Sequence, residues 1–354
     1  MGRPTGNTRV VQIHATRRCN LQCRHCYSSS SPRASEALTP GVLRTALDEL
    51  VAQGYNWASF SGGEPLAYPA LADVMRHAKT IGMHTAVVSN GMLLTPQRLD
   101  AIEAVTDILV LSLDGKPASH NRMRGTPKAF DSMAARLPEL RERGMAFGFL
   151  FTLTQHNLDE LPWVVEFAVN VGAKMLQIHP LDCVGNAARY LRGTEPDGIE
   201  GAYAWYLAEQ TKRSLAGRLA LQVDLVRSDA LRQQPQSFFL NEDEDVLDQP
   251  LAEQLSPLVI EPDGSVVPLQ YGFARSFALG NLHQATLPEM AMRWRVDVGP
   301  RLQAVSRELF RVLDDQPSQF IDWYALMAAQ ARSHTLPDVQ RVLAARGRPS
   351  HLSA

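Results

Sequence analysis

Cys19-Asn20-Leu21-Gln22-Cys23-Arg24-His25-Cys26 puts three thiols within eight residues, directly after the short apolar run Val10 to Ala15. Structural zinc sites normally take four ligands from two separated pairs, and this chain has no second pair. Four cysteines in 354 residues are also too sparse for a disulfide scaffold, which points to a reducing compartment. A cubane 4Fe-4S cluster held by only three cysteines leaves one iron open to an outside ligand, whereas an electron-transfer cluster uses four. The plain alternatives are a coincidental cysteine cluster or an incomplete zinc site that includes His25.

Outward from this loop, short apolar runs alternate with longer segments of helical periodicity. Val10 to Ala15 reads as a strand, Pro40 to Gln53 as a helix with proline in its first turn, and Trp57 to Ser61 as a second strand ending at Gly62-Gly63. A helix from Pro69 to Ile81 stops at Gly82, and His84 to Ser89 is the third strand. Thr95 and Pro96 open the next helix, and Ile108 to Leu113 is the fourth strand. Helix 128–143, strand 146–153, helix 158–171 and strand 174–179 complete six β/α units. Crossovers of this length join parallel strands, so the six units predict a partial (β/α)6 barrel or an open parallel sheet. Either form gathers its βα loops at the C-terminal ends of the strands, where chemistry belongs.

Beyond residue 190 the rhythm changes. Ile199 to Leu215 is helical, Leu219 to Val226 a strand, and Asn241 to Asp248 an acidic, solvated loop. Leu258 to Ile260, Pro262-Asp263-Gly264 and Val266-Val267 make a hairpin signature, and helices with an Arg-rich tail follow from Leu287. The expected domains are a core at 1–190, a helical connection at 191–256, and a hairpin plus helices at 257–354. Composition is globular, 45% hydrophobic and 20% charged, and the net charge of −2 gives no electrostatic case for nucleic acid or an anionic membrane. No window approaches the roughly 18 uninterrupted apolar residues of a membrane span. Met1 to Arg9 lacks an apolar signal segment, so a cytoplasmic location is expected.

The C-x3-C-x2-C spacing of Cys19, Cys23 and Cys26 resembles the hallmark of the radical S-adenosylmethionine (SAM) superfamily. Its usual aromatic position is displaced here, with His25 before Cys26 and Tyr27 after it. The resemblance implies a 4Fe-4S cluster on the three thiolates, SAM on the open iron, cleavage to methionine and a 5′-deoxyadenosyl radical, and hydrogen abstraction from a substrate. Ser61-Gly62-Gly63-Glu64-Pro65 resembles the family's GGEP loop, which implies that it binds the SAM amino group; its glycines permit close backbone approach. Ser89-Asn90-Gly91 and Ser112-Leu113-Asp114-Gly115 match the branch that modifies peptides and sulfatases, with polar groups placed for ribose hydroxyls and the methionine carboxylate. His120 to Gly125 with Phe130 resembles the H-x3-R-G-x4-F stretch of that branch, where Arg124 is a candidate for a bidentate carboxylate contact. Candidate SAM contacts are therefore Tyr27, Gly62, Gly63, Glu64, Pro65, Ser89, Asn90, Ser112, Asp114 and Arg124. Gln177 and His179, alternating with Ile178, are substrate-side candidates, with a satisfied core-edge histidine as the alternative. Cys183 reads as a passive buried thiol.

Residues 257–290 resemble the frame of a SPASM or twitch extension, whose cysteines hold auxiliary clusters. In that frame a cysteine follows the Val-Pro step; here Leu269 and Gln270 stand there, and no cysteine follows Cys183. The extension is therefore read as a smaller SPASM-like α+β unit without its metal, leaving one 4Fe-4S cluster and SAM as the cofactors. The expected function is radical SAM chemistry on a peptide or small natural-product precursor, with an external electron donor such as flavodoxin or ferredoxin. With the first strand near residue 9, a peptide substrate would need a separate leader-binding protein or no leader. The alternative is a non-catalytic partner subunit that binds cluster or peptide on a degenerate fold.

Overall fold

The computed structural model describes residues 8–233, 249–314 and 320–333. The first half runs β1 (Val10–His14), α1 (Pro40–Ala52), β2 (Trp57–Ser61), α2 (Leu71–Thr80), β3 (His84–Ser89), α3 (Pro96–Ile102) and β4 (Ile108–Ser112). It continues through α4 (Pro117–Arg124), α5 (Ala129–Ala134), α6 (Leu137–Glu142), β5 (Phe147–Leu153), α7 (Leu161–Asn170) and β6 (Met175–Pro180). Next come α8 (Asn186–Tyr190), α9 (Gly198–Leu215), β7 (Ala220–Val223), β8 (Val226–Arg227) and α10 (Ser228–Gln233). The remainder is α11 (Leu251–Gln254), β9 (Leu258–Ile260), β10 (Ser265–Pro268), β11 (Gly280–Asn281), α12 (Leu287–Asp297), α13 (Gly299–Asp314), β12 (Phe320–Ile321) and α14 (Trp323–Arg332).

One sheet carries the order β11-β10-β9-β1-β2-β3-β4-β5-β6-β7. Neighbours from β1 to β7 pair in parallel, as the β/α alternation requires, and the two free ends leave the barrel open. Side chains alternate between the faces of each strand. Val11, Ile13, Phe60, Val87, Leu109, Leu111, Phe149 and Ile178 share one buried cluster with Leu47 of α1, Val74 of α2, Leu99 of α3 and Val164 of α7. The opposite face is lined lower down by Ala86, Ile108, Val110 and Leu150, and nearer the C-terminal rim by polar residues.

Local signals explain the helix starts. Thr39, Thr95 and Thr286 each accept a hydrogen bond from a first-turn N–H, with proline at the start of each helix. Two expectations are corrected, and one motif for which no element was expected falls in a helix. The helix expected over 128–143 divides into α5 and α6, with Pro138 in the first turn of the second piece, where its missing N–H costs nothing. The His120 to Gly125 stretch is the helix α4 and its cap, closed by Gly125 at φ +73°. The strand expected over Leu219 to Val226 separates into β7, which extends the sheet beside β6, and β8, which pairs with β12.

The hairpin of β9 and β10 forms where its turn residues predict it. Its position was not legible: β9 lies parallel to β1, pairing Val11 with Leu258 and Ile13 with Ile260, so the hairpin prolongs the barrel sheet. The acidic loop at Asn241 to Asp248 and the tail from 334 onward lie outside the described residues. Among the described residues, no helix is long and apolar enough to cross a membrane.

Candidate active site at the barrel rim

The loops after β1, β2, β3, β4 and β6 meet over one cavity at the C-terminal ends of the strands. Cys19, Cys23 and Cys26 all line it, and Cys183 is not among its lining residues. The three thiols come from one loop whose chain path is fixed by Cys19 N–H donating to the Ser31 carbonyl (3.1 Å) and Arg24 N–H to the Met123 carbonyl (2.9 Å). Each sulfur faces an N–H group. Leu21 N–H donates to Cys19 Sγ (3.4 Å), Ser30 N–H to Cys26 Sγ (3.3 Å), and Arg124 Nη1 lies 3.8 Å from Cys23 Sγ. Burial pushes Cys19 up to about 12 and Cys23 up to about 11, the latter despite Arg124 beside it, so without metal both are neutral thiols. Three convergent thiols with a hydrogen donor at each sulfur fit a metal cluster, whose binding must release those protons.

Gly62 and Gly63 serve the packing of the β2 loop against the cysteine loop. Gly63 N–H donates to the Thr16 carbonyl (2.8 Å) and Glu64 N–H to the Arg18 carbonyl (2.9 Å). A methyl group on Gly63 would lie 2.7 Å from the Arg18 carbonyl carbon and closer still to its oxygen. Both glycines also line the cavity. Glu64 is fully buried behind it. One carboxylate oxygen accepts from Ser89 Oγ (2.8 Å) and Leu66 N–H (3.1 Å), and the other from Asn90 N–H (2.9 Å). Glu64 therefore ties the β2 and β3 loops together, and Pro65 opens the short turn that follows. Asn90 Nδ2 donates to Asn20 (2.8 Å), carrying the connection into the cysteine loop. Ser89, Asn90 and Ser112 line the cavity.

Asp114 and Arg124 are brought to each other. Arg124 Nε donates to Asp114 Oδ2 (2.6 Å) and Nη2 to Oδ1 (3.1 Å), a buried two-point ion pair. Burial pushes the Asp114 carboxyl up, but Arg124, His25 and His120 outweigh it and hold it well below the usual range. Arg124 lines the cavity; Asp114 stands behind it. His25, also lining the cavity, is pushed down to about 4 by burial.

Across the cavity, His179 sits between two carboxylates, 3.0 Å from Asp224 and 3.4 Å from Asp182. Burial works against its charge, yet the two carboxylates outweigh it and hold the imidazole well above its ordinary value. Gln177 donates to Asp224 (2.6 Å) and does not line the cavity. His179 and Asp182 do line it. Asp182 and Asp224 had no motif to announce them; only their positions after β6 and β7 bring them to His179. Beside Leu269 and Gln270, which stand where a SPASM frame would carry a cysteine, Tyr271 stacks on the buried His14 (4.8 Å) and lies 5.5 Å from Tyr27. Tyr27 lines the cavity, its hydroxyl 3.4 Å from Ser61 Oγ.

Residues 13–168 match the Radical SAM superfamily. The chain is 33% identical over 211 residues to the PqqA peptide cyclase of Ruegeria pomeroyi, covering 58% of this chain and 56% of that protein. It is 32% identical over 202 residues to the AdoMet-dependent heme synthase of Methanosarcina barkeri, covering 56% of each. The matched stretch thus spans little more than half the length of these relatives. The crystal structure of Streptococcus suis SuiB bound to S-adenosylmethionine shares the fold, with a TM-score of 0.64 over 85% of this chain and 70% of that one at 15% identity. Residues 13–168, which carry the three-thiol loop and strands β2 to β5 of the open parallel sheet, are thus similar to the radical SAM superfamily in both sequence and fold.

Proposed function

We propose that the chain is a radical SAM enzyme that carries one 4Fe-4S cluster on Cys19, Cys23 and Cys26, cleaves SAM reductively, and takes a hydrogen atom from a peptide or small natural-product precursor. The observation that carries this reading is the convergence of three thiols from one loop on one cavity, each sulfur facing an N–H group. When bound, the cluster and SAM supply the electron transfer and the radical. The chain supplies placement. Arg124 offers positive charge to a carboxylate, while Ser89, Asn90 and Ser112 offer hydrogen bonds to ribose and amino acid groups. Glu64 and Asp114 act from behind the cavity wall, the first fixing Ser89 and Asn90 and the second holding Arg124.

His179 and Asp182 form the wall that faces the substrate. The likeness to a PqqA peptide cyclase favours a peptide, and the likeness to a heme synthase favours a tetrapyrrole-sized small molecule. The absence of cysteine after Cys183 favours a single cluster, and hence a reaction that needs no auxiliary electron acceptor in the chain. A cytoplasmic flavodoxin or ferredoxin is the proposed electron donor, and a separate leader-binding protein would present a peptide that carries a leader.

The test is anaerobic reconstitution with iron and sulfide, then incubation with SAM and reductant. Wild-type protein should release 5′-deoxyadenosine, and Cys19→Ala, Cys23→Ala and Cys26→Ala should each lose both the brown chromophore and the release. A non-catalytic partner subunit would release none above background.

A further inference from the structure

The loop after β6 does more than line the substrate side of the cavity. Asn186, at the start of α8, makes two hydrogen bonds to the cysteine loop: its backbone N–H donates to the Cys26 carbonyl (2.9 Å) and its Nδ2 to the Cys23 carbonyl (2.9 Å). Gly185 makes this approach possible. It adopts φ +59°, and a methyl group there would lie 2.6 Å from the Cys26 carbonyl oxygen and closer still to that of Tyr27. No side chain other than hydrogen fits between the two loops.

The latch has an anchor. Leu181, Ala187 and Leu191 form a buried apolar cluster with Met123 of α4, and the Met123 carbonyl accepts from Arg24 N–H in the middle of the cysteine motif. The cysteine loop is therefore gripped at three backbone groups, those of Cys23, Arg24 and Cys26, by two helices that pack on each other. Asp182, which faces the cavity beside His179, lies three residues before Gly185 on the same short loop.

We propose that residues 181–187 are a latch that holds the cysteine loop in its cluster-binding form, with Asn186 as the positioning residue and Gly185 as the close-approach point. The proposal rests on the reading of Cys19, Cys23 and Cys26 as cluster ligands. An amide donor on a buried carbonyl is worth several-fold in the stability of the arrangement it fixes, and its loss leaves the Cys23 carbonyl without that donor.

The full chain is reconstituted anaerobically, and the loss of iron to a chelator is followed by absorbance, alongside urea unfolding of the cluster-free protein. Asn186→Ala should lose iron about three- to tenfold faster than wild type. Asn186→Asp, which keeps the shape and removes the donor, should do at least as badly. Gly185→Ala should lose iron faster still, whereas Gly193→Ala, also at positive φ (+81°) but with nothing within 4 Å, should match wild type. Wild-type iron retention in both Asn186 variants overturns the latch and leaves the functional reading standing. Equal iron loss in Gly185→Ala and Gly193→Ala also overturns it, since backbone strain would then be the cause. Failure of the wild-type chain to take up a cluster removes the functional reading itself.

Discussion

Replacing Gly63 by alanine adds one methyl group at the place where the β2 loop crosses the cysteine loop. The new carbon would lie 2.7 Å from the Arg18 carbonyl carbon and 2.8 Å from that of Arg17. Those atoms are backbone, so no side chain can swing away, and the two loops must separate by several tenths of an ångström or more. Overpacking of this kind costs about 1–3 kcal/mol. The separation also strains the bonds from Gly63 N–H to Thr16 and from Glu64 N–H to Arg18, each worth about 1 kcal/mol. With both bonds lost the sum is about 3–5 kcal/mol, a large part of the stability of an ordinary domain. Gly41→Ala is the matched control, because Gly41 lies in α1 with nothing within 4 Å of an added methyl. That change should stabilise by about 0.5–1 kcal/mol through helix propensity. Urea unfolding of the cluster-free chains reads both. If Gly63→Ala unfolds at the wild-type midpoint, the β2 and cysteine loops do not meet as described, and the packing account of the Gly-Gly pair is wrong.

Asp114→Asn removes the charge that balances the buried Arg124 guanidinium and should cost about 3 kcal/mol in urea unfolding. His179 should give stability a pH dependence of definite sign. Because its folded value is raised, its contribution is complete below about pH 6.5 and fades as pH climbs through the folded value. The stability gap between wild type and His179→Gln, measured by unfolding at a series of pH values, should therefore narrow with rising pH. A gap that widens would mean that the imidazole is not the charged partner of Asp182 and Asp224.

The barrel was legible because each β/α unit carries its own punctuation. Thr39-Pro40 and Thr95-Pro96 open helices where the cap chemistry demands, and the apolar runs at Trp57, His84 and Ile108 fall in β2, β3 and β4. The cysteine spacing and the polar groups at successive strand ends pointed to one rim, since parallel strands align their C-terminal ends. Roles at that rim were harder to read. Glu64 and Asp114 look from the sequence like groups for a ligand, and only the folded chain shows their oxygens spent on Ser89, Asn90 and Arg124. The pairing of Asp224 with His179 spans 45 residues and follows from β7 joining the sheet beside β6, which no local pattern announces. Asn186 likewise reaches Cys23 across 163 residues.

Electron paramagnetic resonance of the reconstituted, reduced chain, recorded with and without SAM, tests the central claim most directly. The account predicts a reduced 4Fe-4S signal, with about four irons per chain, whose g-values shift when SAM is added, because three thiolates leave one iron open. It also predicts that the signal vanishes in Cys19→Ala, Cys23→Ala and Cys26→Ala. A cluster signal that SAM leaves unchanged, or one that survives loss of any of these three thiols, would contradict it.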